Sequence, residues 1–150
     1  PLSRFRGLDA PLFRGKLVID AMNHWYEIDG PIETVISKDM KTSEAVQEHL
    51  RAADVIKALN HMGYHHLRDE AKERGLPGRK AIAIAGNNTE SVKRVMEFVD
   101  TLGFDPLPVG TLKDSRILES GGAAFGANLA YDQLRQLVEV EISGHRQGDY

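Results

Sequence analysis

Two nearly identical heptapeptides carry the side chains of this sequence that are best suited to binding a small molecule. The first, VIDAMNH, spans residues 18–24, and the second, VIKALNH, spans residues 55–61. They end in the pairs Asn23-His24 and Asn60-His61. An Asn amide offers two hydrogen-bond donors and an acceptor, which suits it to a carboxamide or carbonyl edge. Asn also commonly caps or turns the chain after a strand, and the spacing leaves both interpretations open.

Opposite charges occupy the third position of the two heptapeptides, Asp20 in the first and Lys57 in the second. If the heptapeptides are adjacent parallel strands in register, these two side chains lie together on one face. A buried charge is costly, and a partner lowers that cost. Ligands of open parallel sheets bind outside the carboxyl ends of the strands. We therefore predict a close Asp20–Lys57 pair and one crevice that both Asn-His ends face.

A metal site is the alternative use of the histidines that follow the second heptapeptide. His61 and His65 are four residues apart, and His66, Asp69 and Glu70 follow. Such a pair of histidines is common on ordinary helix surfaces, and the spacing fixes no third ligand. We therefore predict no metal site.

The segment GGAAFG at residues 121–126 loosely fits the glycine fingerprint of dinucleotide-binding proteins. That fingerprint follows a buried strand and opens a helix, whereas the preceding DSRILES is typical of a helix. We interpret GGAAFG as a flexible loop. Ser43 and Ser115 lack the motif that surrounds a catalytic serine, and no residue is predicted to act as a catalytic acid, base or nucleophile.

Strand and helix patterns alternate along the chain, which indicates one α/β domain over residues 1–150 with a mainly parallel sheet and flanking helices. Asn87 with Glu90 predicts a capping box at the start of one helix, and Gly103 marks its end. Strands are predicted at residues 16–22, 54–59 and 80–85, with an edge strand or extended loop at 104–109; helices are predicted at 42–51, 63–71, 88–102, 115–119 and 132–141.

Composition excludes several classes of protein. The net charge of −3 and the pI near 6.1 argue against a nucleic-acid or anionic-membrane surface. No apolar stretch approaches the roughly 20 residues of a membrane helix. The chain has no cysteine and hence no disulfide or thiolate site. We expect a soluble cytoplasmic protein that acts on small molecules.

Four segments in a fixed order resemble one family. They are VIDAMN, TSEAVQEHL, ADVIKALNHMGYHHL and AIAIAGNNTESVKRVMEFVDTLGFDPLPVGTLKDSRILE, and GGAAFGANL follows them. Together they resemble predicted dinucleotide-binding reductases related to the NADPH-dependent deazaflavin (coenzyme F-420) oxidoreductases. The resemblance covers residues 15–119, more than two-thirds of the chain.

The resemblance implies a partial Rossmann-type fold and hydride transfer between NADP(H) and a deazaflavin, a flavin-like compound or a small organic acceptor. It implies that Asn23 and Asn60 border the nicotinamide, with Thr42 and Ser43 nearby in the cofactor site. His24 and His61 would then contact the second substrate.

The family's chains begin with a strand, a GxGxxG loop and a helix, and this sequence resembles only their later half. We expect two consequences: the chain alone binds NADP(H) weakly or not at all, and a second copy or an exchanged segment covers the strand edge that the first half would occupy. The first heptapeptide would form that edge. The alternative function is a non-catalytic half-Rossmann module for assembly or binding.

Overall fold

The computed structural model describes residues 1–147, in which one four-stranded sheet forms the centre. Its strands are β1 (Leu17–Asp20), β2 (Asp54–Lys57), β3 (Ala81–Gly86) and β4 (Asp105–Gly110), in the spatial order β1-β2-β3-β4. The pairs β1–β2 and β3–β4 are parallel, and β2–β3 is antiparallel. The predicted mainly parallel α/β sheet is therefore confirmed, with a reversal of direction in its middle that the sequence did not predict.

The α-helices are α1 (Tyr26–Asp29), α2 (Ile32–Val35), α3 (Thr42–His49), α4 (Tyr64–Asp69), α5 (Thr89–Thr101) and α6 (Tyr131–Gln147). Turns of 3₁₀ helix occupy Leu2–Gly7, Ala10–Phe13 and Leu112–Leu118. Helix α5 buries Val92, Val95 and Val99, which recur every three or four residues as an amphipathic helix requires. Its N-cap is Asn88, one residue after the predicted position, and the Asn88 side chain accepts from the Ser91 N–H.

The two heptapeptides form β1 and β2 in the predicted register. Val18 is paired with Val55 and Asp20 with Lys57. Neighbouring residues of β1 pack into two different apolar clusters. Val18 packs into the cluster around α3, and Ile19 packs into the cluster under α5. This alternation follows from the two-residue period of a strand.

The N-terminal segment covers one face of this sheet. Leu2 and Phe5 are fully or almost fully buried beside Val46 of α3, and Val18 packs against the same cluster. Strand β1 is the edge of the sheet, as expected, and within residues 1–147 no strand pairs with its outer side.

None of the helices in residues 1–147 is both long and apolar enough to span a bilayer.

Candidate functional site

A buried ion pair lies at the carboxyl ends of β1 and β2. The Nζ atom of Lys57 is 3.6 Å from Oδ2 of Asp20, and both side chains are inaccessible to solvent. Lys57 also donates to the Met22 carbonyl at 2.6 Å. Burial lowers the pKa of Lys57, and the neighbouring Asp20 and Glu119 oppose this effect in part. The predicted pairing of the two heptapeptide charges is confirmed.

The N-terminus of α3 reaches the same ion pair. The Ser43 hydroxyl donates to Oδ2 of Asp20 at 2.6 Å, and Nζ of Lys57 is 3.5 Å from the Thr42 hydroxyl oxygen. The backbone N–H and the hydroxyl of Thr42 both donate to Oε1 of Glu119, at 2.6 and 2.9 Å. A carboxylate at the positive end of a helix is favourable. Thr42 and Ser43 therefore come together with the strand ends, and their hydrogen bonds are internal.

The two asparagines interlock. Nδ2 of Asn23 donates to the Asn60 carbonyl at 2.9 Å, and Nδ2 of Asn60 donates to Oδ1 of Asn23 at 3.1 Å. Asn60 donates a second hydrogen bond to the Leu118 carbonyl at 2.7 Å. Its Oδ1 is buried and has no partner among the described residues. An acceptor left in this state is unfavourable unless a ligand or water satisfies it.

The backbone just before Asn60 is strained. Leu59 has a φ of +67°, and among residues 1–147 it is the one non-glycine residue with a positive φ. Such conformations cost on the order of 1–3 kcal/mol and concentrate at functional sites. Here the left-handed residue turns the chain out of β2, so that the Asn60 side chain returns to Asn23.

The two histidines occupy different environments. His61 is 1% exposed, and its Nε2 accepts from the Ala83 N–H at 2.9 Å, just past the point where β2 stops pairing with β3. Burial lowers the pKa of His61 to about 4, and the Ala127 backbone opposes this only in part. His24 is half-buried, and its Nε2 lies 2.7 Å from the Gly30 carbonyl. Only His24 is accessible to a ligand in this conformation, and the substrate-binding role of both stays a prediction.

A buried carboxylate that the sequence did not single out fixes the loop after β1. Asp29 accepts from the N–H groups of Ser3 and Trp25, each at 2.9 Å. Burial alone would raise its pKa, but these two bonds and the nearby His24 lower it to about 2. Ser3 lies 26 positions away in the chain, which explains why no local pattern predicted the contact.

A cleft of about 240 Å³ opens beside this network. Its wall contains His24 and Thr42, the carboxylates of Glu33 and Glu119, and the basic side chains of Lys38, Lys41 and Arg116. Glu119 was not singled out from the sequence, because it lies 77 positions from Thr42 and no local pattern links the two. The cleft therefore brings three basic side chains and two carboxylates close to Thr42.

The sequence also singled out the histidines of α4, the GGAAFG loop and two serines. His65 and His66 belong to α4, and among residues 1–147 no three His, Asp or Glu side chains are grouped to hold a metal ion. GGAAFG is a loop, as predicted, and it follows the 3₁₀ helix rather than a strand. It is anchored by the Gly126 N–H, which donates to the His61 carbonyl at 2.7 Å. The hydroxyls of Ser43 and Ser115 are buried in internal hydrogen bonds.

Comparison with known proteins identifies the fold and leaves the family open. No protein-family model matches the chain, and no curated protein sequence matches it. Among solved structures, a hypothetical protein from Sinorhizobium meliloti matches 87% of this chain and 62% of its own, with a TM-score of 0.66 and 26% identity.

A second solved structure carries a functional description. It is a candidate F420-dependent NADP-reductase from Arthrobacter sp. FB24, matched over 72% of this chain and 49% of its own, with a TM-score of 0.56 and 22% identity. The chain thus spans about half to three-fifths of the length of these two neighbours. The domain has a Rossmann-like α/β fold.

Proposed function

We propose that this chain is part of an NADP(H)-dependent oxidoreductase and orients the nicotinamide of the cofactor against a planar acceptor, at the carboxyl ends of β1 and β2. The proposal rests above all on Asn60, whose buried Oδ1 lacks a partner within the interlocked amide pair. The Rossmann-like fold and the reductase among its structural neighbours support the same reaction class.

The amide pair fits the carboxamide end of the cofactor. Both hydrogens of the Asn60 amide are used, by Asn23 and the Leu118 carbonyl, so its orientation is fixed. Oδ1 is then left as an acceptor for one carboxamide N–H. When bound, NADPH would supply the hydride. The residues of this chain would hold the ring in one orientation and exclude water, so no acid or base is required.

The basic side chains of the cleft support an anionic ligand, with Glu33 and Glu119 leaving a small net positive charge in its wall. Lys38, Lys41 and Arg116 border the cleft, where they can attract phosphate or carboxylate groups of the cofactor or acceptor. Thr42 and Ser43 already donate to protein carboxylates, and we assign them the role of holding the α3 N-terminus beside the strand ends.

We expect the chain alone to bind NADP(H) weakly. A helix N-terminus behind a glycine-rich loop normally binds the phosphates, and the described residues contain no such element. A dissociation constant near 1 mM corresponds to about −4 kcal/mol, which a carboxamide contact and charge attraction can supply.

The test follows the side-chain amide signals of the asparagines by ¹⁵N NMR during titration with NADPH. We expect the Asn60 and Asn23 amides to shift saturably at millimolar NADPH, and Asn60→Leu to abolish the response. Asn128→Leu is the matched control, because Asn128 also carries a buried Oδ1 without a partner but binds Glu70 beside α4. Unchanged Asn60 and Asn23 signals at 10 mM NADPH, or an equal effect of Asn128→Leu, would contradict the proposal.

A second candidate function, an assembly module, is favoured by the outer edge of β1. The Lys16 and Asp20 carbonyls accept from the N–H groups of Asp54 and Ala58, so the parallel ladder directs the N–H and C=O of Leu17 and Ile19 outward. Soluble proteins usually cover such an edge. We propose that a second copy covers it, making a homo-oligomer.

Light scattering at about 5 and 200 µM, combined with amide exchange, tests this assembly. We expect mass to rise with concentration while the Leu17 and Ile19 amides become protected. A monomer at both concentrations with rapid exchange at these two amides would contradict it.

A further inference from the structure

Strand β1 presents unpaired backbone groups along its outer side. Its ladder to β2 uses the even-numbered residues, as the bonded carbonyls of Lys16 and Asp20 show. The N–H and C=O groups of Leu17 and Ile19 therefore point away from β2. The side chains of Leu17, Val18 and Ile19 are only half-buried. In the part of the chain that the structure describes, no other strand bonds to this side of β1.

Two-fold symmetry restricts how a second copy can pair with this edge. In a parallel ladder the bonds are slanted, which shifts one strand against the other, whereas a closed two-fold axis relates identical strands without such a shift. An antiparallel ladder exchanges both bonds between opposed residues, so it is compatible with the axis. Within β1, the pairing that uses every outward group places Leu17 of one copy opposite Ile19 of the other. Val18 then lies opposite its own equivalent.

We propose that β1 of a second copy pairs antiparallel with β1 about a two-fold axis at Val18, so that two four-stranded sheets become one continuous sheet. This proposal rests on the homo-oligomer proposed above, and it names the register and the residues of the contact. Each pairing of Leu17 with Ile19 exchanges two backbone hydrogen bonds. Lys16 of the second copy lies opposite Asp20 on the same face of the sheet, so the second copy contributes a cation to the strand-end network.

The charges at the two ends of β1 favour the antiparallel arrangement. Arg14 and Lys16 precede the strand and are exposed, whereas Asp20 ends it and the exposed Glu27 follows. Antiparallel pairing sets the basic beginning of one strand beside the acidic end of the other, at both sides of the axis. Lys57 already balances part of the charge of Asp20, and Glu27 adds negative charge after the strand. Opposite charges directly across a ladder are stabilising, and like charges are destabilising.

Exposed apolar side chains on both sides of β1 extend the contact. Leu12, before the strand, is 67% exposed, and Ile28 of α1, after it, is 65% exposed. Antiparallel pairing brings the segment that precedes β1 in one copy towards the segment that follows β1 in the other. A ladder as short as β1 buries too little surface for a stable dimer. These flanking side chains add apolar area at two symmetry-related places.

The chain has no cysteine, so an introduced cysteine can form a disulfide only with a second copy. In the proposed ladder the Cα atoms of the two Val18 residues lie about 4.5 Å apart, within the range of about 4.4–6.8 Å that a disulfide spans. The two copies of Leu17, or of Ile19, lie diagonally at about 7–8 Å. With diamide as the oxidant and about 200 µM protein, we expect Val18→Cys to form a covalent dimer on a non-reducing gel. Leu17→Cys and Ile19→Cys should not form one.

Reversal of one charge tests the cross-strand ion pair. Lys16→Glu places a carboxylate opposite Asp20 at two equivalent positions, so it should weaken dimerisation measured by light scattering about tenfold or more. It should also reduce the cross-linking of Val18→Cys when the two changes are combined. Lys93→Glu makes the same change on α5, where the side chain is 63% exposed, and should leave dimerisation unchanged. Circular dichroism confirms that each variant is folded.

Three results would overturn this register. Cross-linking of Leu17→Cys or Ile19→Cys in preference to Val18→Cys would move the axis, and no cross-linking of Val18→Cys would exclude the ladder. Equal effects of Lys16→Glu and Lys93→Glu would exclude the ion pair. The assembly test separates the two proposals. If mass rises with concentration and the Leu17 and Ile19 amides become protected while Val18→Cys is not cross-linked, only the register fails. A monomer at both concentrations refutes the assembly itself.

Discussion

Substituting Lys57 by methionine tests the idea that one buried cation holds the strand ends together. At 3.6 Å and an effective dielectric constant near 20, its attraction to Asp20 is about 4–5 kcal/mol. Lys57→Met leaves Asp20 charged and fully buried beside Ser43, and it removes the donor to the Met22 carbonyl. We expect a loss of about 3–5 kcal/mol, the usual effect of removing one partner of a buried pair. That is a large part of the 5–15 kcal/mol that stabilises a typical domain.

Urea unfolding followed by circular dichroism and by the fluorescence of Trp25 measures this loss. The double variant Asp20→Asn with Lys57→Met removes both charges, and the Asn side chain retains groups that can bond the Met22 N–H and Ser43. It should recover at least 2 kcal/mol of the loss, as a coupled pair requires. Lys93→Met is the surface control, because Lys93 is 63% exposed in its pair with Glu90 and should change stability by less than about 1 kcal/mol.

The pH dependence has a defined sign. Because burial lowers the pKa of Lys57 in the folded state, the unfolded chain binds more protons between that pKa and the ordinary value of 10.5. Stability therefore rises with pH across this window, in the absence of other titrations, and Lys57→Met removes the rise. A loss below 1 kcal/mol for Lys57→Met, or a double variant no more stable than the single one, would refute the reasoning.

Three further predictions concern single residues. The Asp29 carboxyl should titrate near pH 2 when followed by ¹³C NMR. The stability that the ionised carboxylate contributes is then present above pH 3.8 and is lost as the pH falls through 2, and Asp29→Asn should remove this pH dependence. The His61 ring should titrate near pH 4, so the free energy of unfolding falls as the pH drops from 6.5 through 4. A titration midpoint above pH 6 in the NMR signals of the ring would contradict the buried hydrogen bond to β3. Gly103→Ala should lower the free energy of unfolding by more than 1 kcal/mol, because φ is +102° and an added Cβ would lie 2.8–2.9 Å from the segment after α4; an unchanged midpoint in urea would contradict it.

The sequence predicted the β1–β2 part of the fold well because two local signals agreed there. The heptapeptide repeat set both the strand period and the register, and the opposite charges of Asp20 and Lys57 required them to be neighbours. The helix after β3 was equally clear from its apolar spacing, although its first residue shifted by one because Asn88 rather than Asn87 accepts the capping hydrogen bond. Asn87 instead accepts from the Leu112 N–H.

Strand direction could not be predicted in the same way, because a strand has the same side-chain period in both directions. Between β2 and β3 the chain forms only the six-residue helix α4, about 9 Å long, in place of the longer helix that usually packs along the sheet in a parallel crossover. The connection stays at the carboxyl end of β2, and β3 runs back beside it. His61 then supplies the acceptor for the Ala83 N–H where the ladder has ended.

Much of the candidate site was likewise beyond local patterns. The asparagines and the α3 N-terminus were found because they follow or precede recognisable elements. Glu119 and Asp29 were missed because each acts on a residue far away in the chain, Thr42 and Ser3 respectively. Their contacts arise from tertiary packing, and neither carboxylate has a sequence neighbour that would indicate its role.

The charge-neutral double variant also separates stability from ligand binding, because Lys57 reaches all three segments of the proposed site. Its Nζ contacts the Met22 carbonyl next to Asn23, the hydroxyl of Thr42 on α3, and Asp20 on β1. Asp20→Asn with Lys57→Met should therefore regain at least 2 kcal/mol of the stability lost in Lys57→Met, yet lose the NADPH response of the Asn23 and Asn60 amides. The double variant regains stability because it leaves no unpaired buried charge. It loses NADPH binding because Lys57 no longer fixes the Met22 carbonyl, Thr42 and Asp20 in place. A double variant that binds NADPH as the parent does would show that the amide pair is held by Leu118 and its own mutual hydrogen bonds, and that the buried cation has only a structural role.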